Sequence, residues 1–205
     1  MKIGKRGAGE TVFGNVYNKY ESKNPIARKM MDGFKKCITS LITRVECESV
    51  VDIGCGEGYL TNLVRETLPR VDLYAFDLLD SVPSMGILDG SVHFHAGSVY
   101  GMPYGDGRFD LTIANEVLEH LEDYDAALLE MKRVTAGHCL LSVPNEPFWR
   151  ILNMARMKYV GALGNTPGHL QHWGRRGFVE LVQRHFQVLT VGTPFPWTVV
   201  LAKTK

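Results

Sequence analysis

Residue types and spacing converge on ligand chemistry in the stretch from Val50 to Leu60, VVDIGCGEGYL, where Asp52 is followed by Gly54, Gly56 and Gly58 at alternate positions. Glycines allow positive φ and let a ligand lie against the main chain where a Cβ would collide. With an acid before them and Cys55 among them, they have the chemistry of a nucleotide-like cofactor site. Further on, Asp77 follows the apolar run LYAF with two carboxylate oxygens, enough to accept from both hydroxyls of a ribose. Two more groups could act on a substrate: Asn115, Glu116, Glu119 and His120 in ANEVLEH, and His169 with His172 in GHLQHW.

These residues need elements to hold them, and the hydrophobic pattern supplies a candidate set. Val50, Val51 and Ile53 read as a buried strand leading through the glycines into a helix with Leu60, Leu63, Val64 and Leu68 at helical spacing. A helical region is predicted over residues 24–44, and strands over 49–53, 71–76, 91–95, 109–114 and 139–143. Leu121, Tyr124, Leu128, Met131 and Val134 mark one helix face, and Phe178, Leu181, Val182 and His185 another. Strands at 187–191 and 198–202 close the chain as a hairpin through the turn from Gly192 to Pro196. Strands separated by helices predict an α/β fold with a doubly wound, mostly parallel sheet of seven strands, the last one antiparallel. In such sheets ligands sit beyond the carboxyl ends of the strands, where Asp52, Asp77, Asn115 and Glu116 fall.

The string D-x-G-x-G-x-G resembles motif I of class I S-adenosylmethionine-dependent methyltransferases. A dinucleotide fingerprint would set its third glycine three residues after the second, and here it comes after two. The run from His95 to Leu121, HAGSVYGMPYGDGRFDLTIANEVLEHL, is similar to that family's GDAxxLPFxDxSFDLVxxxxVLEH stretch. The resemblance covers about residues 50–202 and is to the broad type that includes the ubiquinone and menaquinone biosynthesis methyltransferases and related small-molecule enzymes. It implies a Rossmann-like methyltransferase fold, S-adenosyl-L-methionine as cofactor, and methyl transfer to a small-molecule acceptor.

The resemblance also implies roles for single residues. Asp52 and Gly54 would lie nearest the methionine portion, with Cys55, Gly56 and Gly58 completing the loop. Asp77 would bind the ribose and Leu78 the adenine face. Ser98 and Val99 stand at the adenine edge; serine replaces the aspartate common there, so its hydroxyl or the Val99 amide would take the contact. Asn115 and Glu116 would adjoin the sulfonium. Tyr20 either closes over the methionine part or staples the first helix. His120 is either a general base or a positioning residue.

Methyl transfer from a sulfonium needs mainly in-line positioning, so the signature lies on the cofactor side and the acceptor side varies. Acceptor contacts would come from the N-terminal region and from residues 144–176, expected to form a lid inserted after the fifth strand. There, Phe148, Trp149, Ile151, Leu152, Met154 and Met157 make a core face, a pocket wall or a membrane-contacting stripe. His169 and His172 are three residues apart and could share a helical face, as substrate contacts, bases or metal ligands, or simply shape a loop. No third ligand is evident beside them, so no metal is expected.

With 205 residues, 45% of them hydrophobic, the chain suits a single domain: a mobile tail over 1–10, a helical cap over 11–46, then the sheet. A net charge of +1 offers no basic field for a nucleic-acid backbone, and no NPPY or DPPY follows the fourth strand as in enzymes that methylate base amines. Four cysteines without a CxxC pair fit reduced thiols, and no apolar run has the length of a membrane span, so a cytoplasmic enzyme is expected. The acceptor is read first as the oxygen of a natural product, sugar or quinone-like intermediate, with nitrogen or carbon as the next readings. The alternative is a scaffold or binding protein that keeps the fold without catalysis. Oligomeric state has no signal in the sequence.

Overall fold

The computed structural model describes residues 24–78 and 88–205. The expected tail, the first part of the cap and Tyr20 lie outside the described residues. Helix α1, Pro25–Ile42, starts where Asn24 Oδ1 accepts from the amides of Ile26 at 2.9 Å and Ala27 at 3.3 Å, with proline at the first helical position. Strands β1 (Ser49–Ile53) and β2 (Asp72–Asp77) flank helix α2 (Tyr59–Thr67). Strands β3 (His93–Ala96) and β4 (Phe109–Asn115) follow, then a 3-10 turn over Leu118–His120 and helix α3 (Tyr124–Val134). Strand β5 (Thr135–Pro144), helix α4 (Phe148–Ala155), helix α5 (Arg175–His185) and the hairpin of β6 (Phe186–Gly192) and β7 (Trp197–Thr204) complete the chain.

The seven strands form one sheet in the order β3-β2-β1-β4-β5-β7-β6, with only β7 antiparallel to its neighbours. Each strand end predicted from the sequence falls within a few residues of its observed place. The largest difference is β5, which begins at Thr135 because that residue pairs with Phe109 across the sheet. The expected alternation of strand and helix fails between β3 and β4. Gly97, Gly101, Pro103, Gly105 and Gly107 break any helical run there, and the segment is held as turns by Arg133, which donates to the carbonyls of Met102 and Tyr104.

Period-two alternation divides the core. Val51, Ile53, Ala114, Cys139, Leu141, Val143 and Val200 pack towards α3 and α5, with Leu128, Met131, Phe178 and Val182. Val50, Ile113, Leu140, Val199 and Leu201 face the opposite layer, with Phe34, Ile38 and Ile42 of α1 and Leu60 and Val64 of α2. Burial on both faces explains why the central strands read as continuous apolar runs. The order of strands reverses between β1 and β4, so a crevice opens beyond their carboxyl ends.

The opposite end of those two strands is tied by Asp110. Its Oδ2 accepts from the amides of Glu48 at 3.0 Å and Ser49 at 2.9 Å and from the Ser49 hydroxyl at 2.8 Å. The Glu48 amide bond is the main cause that holds the Asp110 carboxyl below the usual carboxylate range. A lowered folded pKa stabilises the fold above the ordinary pKa, and this stabilisation is lost as pH falls through the lowered value. Asp110→Asn should therefore cost about 1–2 kcal/mol at neutral pH and much less in acid, where the wild-type carboxylate is itself protonated. Urea unfolding at neutral and acid pH checks this; an equal loss at both would contradict it.

Candidate functional site

A cavity of about 760 Å³ lies beyond the carboxyl ends of β1, β2 and β4, within the size range of small-molecule sites. The glycine turn forms one side. Gly54, Gly56 and Gly58 all have positive φ, at 70°, 55° and 90°. The Gly54 and Cys55 amides both donate to the Phe76 carbonyl, at 2.7 and 3.2 Å, which holds the turn against the end of β2. A Cβ at Gly54 would overlap the Val117 side chain, and one at Gly58 would lie 2.9 Å from Leu88 Cδ1. Gly56 has open space on that side, and its amide donates to Asp77 Oδ2 at 2.8 Å.

Most residues singled out in the sequence line this cavity: Asp52, Gly54, Cys55, Gly56, Asp77, Leu78, Ser98, Val99, Asn115, Glu116, His120 and His169. Gly58 instead starts α2 and shapes the turn from behind. Leu78 is 54% exposed at the rim, placed as an apolar face for a planar ring. Cys55 is buried, and its burial pushes the thiol up, so it stays protonated and contributes packing and main chain.

His172 separates from the others. Residues 169–174 form no helix, so the expected common face with His169 does not exist; the His172 ring meets Asn165 Oδ1 at 2.8 Å in an exposed position outside the cavity lining. Gly168, with φ at 88°, and the bonds from the Leu170 and Gln171 amides to the Glu119 carbonyl turn the chain and prevent a helix. The same turn brings His169 edge-on to His120, with ring centroids 4.9 Å apart.

Beyond β4 the chain takes an uncommon path. Glu116 has φ at 56°, a strained choice for a residue with a side chain, and it is fixed from two directions. Its amide donates to the Ser142 carbonyl at 2.9 Å, and Trp197 Nε1 donates to its Oε1 at 2.6 Å. Neighbouring Asn115 is buried; its Oδ1 accepts from Ser142 Oγ at 2.9 Å, and its Nδ2 has no hydrogen-bond partner among the described residues. A buried amide donor in a cavity wall is suited to a ligand acceptor.

The segment after β5 closes another side. Trp149 Nε1 donates to Thr166 Oγ1 at 2.9 Å, and Asn153 Nδ2 to the Gly164 carbonyl at 2.9 Å, which folds the loop back onto α4. Trp149 thus serves core and cavity together: it packs against the α1 layer and lines the pocket. Phe148, Ile151, Met154 and Met157 are exposed, so that stripe is not core. Thr61, Trp149 and Trp197 form part of the site's framework that spacing alone does not assign. Trp197 meets Glu116 across 81 residues, so no local sequence signal could find it.

Asp52 is a strongly perturbed acid. It is 2% exposed, and Thr61 Oγ1 donates to its Oδ2 at 2.6 Å. Burial is the largest cause that pushes its pKa up to about 7; the Thr61 bond opposes the shift and Asp77 adds to it. A raised folded pKa in an acid means that the folded state holds the proton longer than the unfolded chain, so stability falls as pH rises from about 4 to about 7. Asp52→Asn keeps an acceptor for Thr61 and removes the charge. The variant should match or exceed wild-type stability at pH 8, with an advantage on the order of 1–3 kcal/mol that shrinks towards pH 5. Chemical denaturation across that range measures it, and a variant less stable at pH 8 would refute the assignment.

Comparisons with known proteins agree with this geometry. Residues 21–190 match the family described as Methyltransferase domain. The chain is 30% identical over 117 residues to an uncharacterized methyltransferase of Schizosaccharomyces pombe, covering 48% of this chain and 40% of that protein. It is 43% identical over 98 residues to the ajmaline N-methyltransferase of Rauvolfia serpentina, covering 43% of this chain and 33% of that one. The chain thus spans less than half the length of these relatives. The crystal structure of an S-adenosylmethionine-dependent methyltransferase from Aquifex aeolicus superposes with a TM-score of 0.64 at 17% identity, over 91% of this chain and 97% of that chain, a likeness of fold. Among the described residues no helix is long and apolar enough to cross a membrane. With the glycine turn, the acid after β2 and the family match in agreement, the chain belongs to the class I methyltransferases, whose cofactor is S-adenosyl-L-methionine.

Proposed function

We propose that the protein transfers a methyl group from S-adenosyl-L-methionine to an oxygen of a small molecule: a natural product, a sugar or a quinone-like intermediate. The observation that carries this reading is the union of two unlike walls in one cavity. One wall is the glycine turn with Asp77, and the other is His120, His169 and Trp149. A cofactor and an acceptor held in one crevice meet the main requirement of the reaction, which is alignment at close range.

The turn fits the cofactor because a Cβ is excluded at Gly54 and Gly58 while Gly56 faces open space. Asp77 would bind the ribose hydroxyls, with one carboxylate oxygen already anchored by the Gly56 amide and thereby oriented. Leu78 would cover one face of the adenine, and Ser98 and Val99 would meet its edge. Asp52 and the Asn115 amide would face the methionine portion, while Glu116, locked by Trp197, would place a carboxylate near the sulfonium. The cofactor supplies an activated methyl: the new carbon–oxygen bond forms as the carbon–sulfur bond breaks, a thioether leaves, and the acceptor hydroxyl gives up its proton. His120 and His169 would orient the acceptor and lower the cost of losing that proton. Residues 144–176 would act as a lid, since Trp149, Asn153 and Thr166 join α4 and its loop into one wall of the cavity. The near-neutral charge and the size of the cavity favour a small acceptor over a nucleic acid.

Titration calorimetry with S-adenosylmethionine should show saturable binding, weakened at least tenfold in Asp77→Ala, which removes the acceptor of a doubly hydrogen-bonded ligand. The absence of binding at millimolar cofactor would leave only a scaffold role. For the acceptor, label from methyl-tritiated cofactor should pass to hydroxylated aromatic or sugar compounds, with the methylated atom identified by mass spectrometry. Label found only on nitrogen or carbon would reject the oxygen assignment.

A further inference from the structure

Glu119, His120 and His169 each present a ligand atom at the acceptor side of the cavity, and these atoms lie within 4.8 Å of one another. We infer that they form a binding site for one divalent transition-metal ion, which holds the acceptor oxygen of the reaction proposed above. That acceptor role rests on the functional reading; the metal site itself rests on the geometry.

Two imidazoles and one carboxylate make a donor set suited to Zn²⁺, Mn²⁺, Fe²⁺ or Co²⁺ and less so to Mg²⁺ or Ca²⁺, which prefer all-oxygen cages. Ligand atoms about 2.1 Å from a common ion can be separated by at most about 4.2 Å, so small side-chain rotations would close the set. Three protein ligands leave coordination positions open, as in catalytic centres.

The surroundings support this use of the three side chains. His120 Nδ1 lies 2.9 Å from the Gly168 carbonyl, which can only accept, so Nδ1 carries a proton and Nε2 is the nitrogen that a metal would take in the neutral ring. Such a carbonyl-to-imidazole bond is the usual support of a metal-bound histidine. Glu119 is 1% exposed and His169 is 9% exposed, so the carboxylate would enter a dry environment in which a cation is a favoured neighbour. The Glu119 carbonyl accepts from the amides of Leu170 at 2.8 Å and Gln171 at 3.0 Å, which fixes His169 beside it. Trp149 stacks on the outer side of the His169 ring, with centroids 6.5 Å apart. Glu119 and His169 are 50 residues apart in the chain, and the turn at Gly168 exists in the form that joins them.

The test is titration of chelator-treated full-length protein with Co²⁺ alone, followed by visible absorption, with Zn²⁺ as competitor. One equivalent should bind and give ligand-field bands that Zn²⁺ abolishes. Affinity should fall at least tenfold in Glu119→Gln and in His169→Ala, with thermal unfolding used to confirm that each variant folds. Where one does not, Glu119→Asp and His169→Gln replace it. No stoichiometric uptake by the wild type, or uptake unchanged in both variants, overturns the site. S-adenosylmethionine is titrated in parallel: cofactor binding without Co²⁺ binding rejects the metal site alone. Co²⁺ binding without cofactor binding supports the site and rejects the methyl-transfer reading.

Discussion

The segment after β4 passes so close to the turn after β1 that any side chain at Gly54 would occupy the space of the Val117 methyls. That approach sets the distance between two halves of the molecule. On one side are the glycine turn and Asp77, joined through the Phe76 carbonyl and the Gly56 amide. On the other are Asn115, Glu116, Glu119 and His120, carried on the chain that Val117 belongs to. A Cβ at Gly54 would push these halves apart, and the crevice at the reversal of strand order would lose its shape. The glycine is therefore a spacer between the turn after β1 and the chain after β4, two walls of one crevice.

A strained residue and a buried acid both adjoin this contact. Glu116 holds a left-handed backbone, at a cost of about 1–3 kcal/mol, because Trp197 and the Ser142 carbonyl fix it from the neighbouring strands. Asp52 keeps a carboxyl in an apolar layer with one hydroxyl partner, and burial raises its pKa to about 7. Both features destabilise the fold locally and both sit in the cavity wall. Asp110, by contrast, is satisfied by two amides and a hydroxyl. A strained backbone and a proton-holding acid together in one cavity wall are the kind of perturbation that marks functional sites.

Much of the fold was legible because its signals are local. The glycine turn, the buried strands and the helix faces are written in runs of a few residues, and strands buried on both faces leave unbroken apolar stretches. The link from β3 to β4 departs from the general alternation of strand and helix, because the glycines and Pro103 in that segment break a helical run. The site was half legible. Asp52, Asp77, Asn115 and Glu116 stand at or beside the ends of their strands, so finding the strands finds them. His172 shows the limit: a spacing of three suggests a shared face only if the segment is helical, and the turn at Gly168 sends His172 to Asn165 instead.

By itself the sequence determined the sheet, the turn and the residues at the strand ends that line the cavity, since each depends on neighbours along the chain. Only the tertiary structure decided which histidine joins His120, that Trp197 locks Glu116, and that Trp149 is shared by core and cavity. These pairings span tens of residues, and they depend on how loops return across the sheet. No periodicity encodes that return, because loop paths are set by a few glycines and by hydrogen bonds whose partners are distant in sequence.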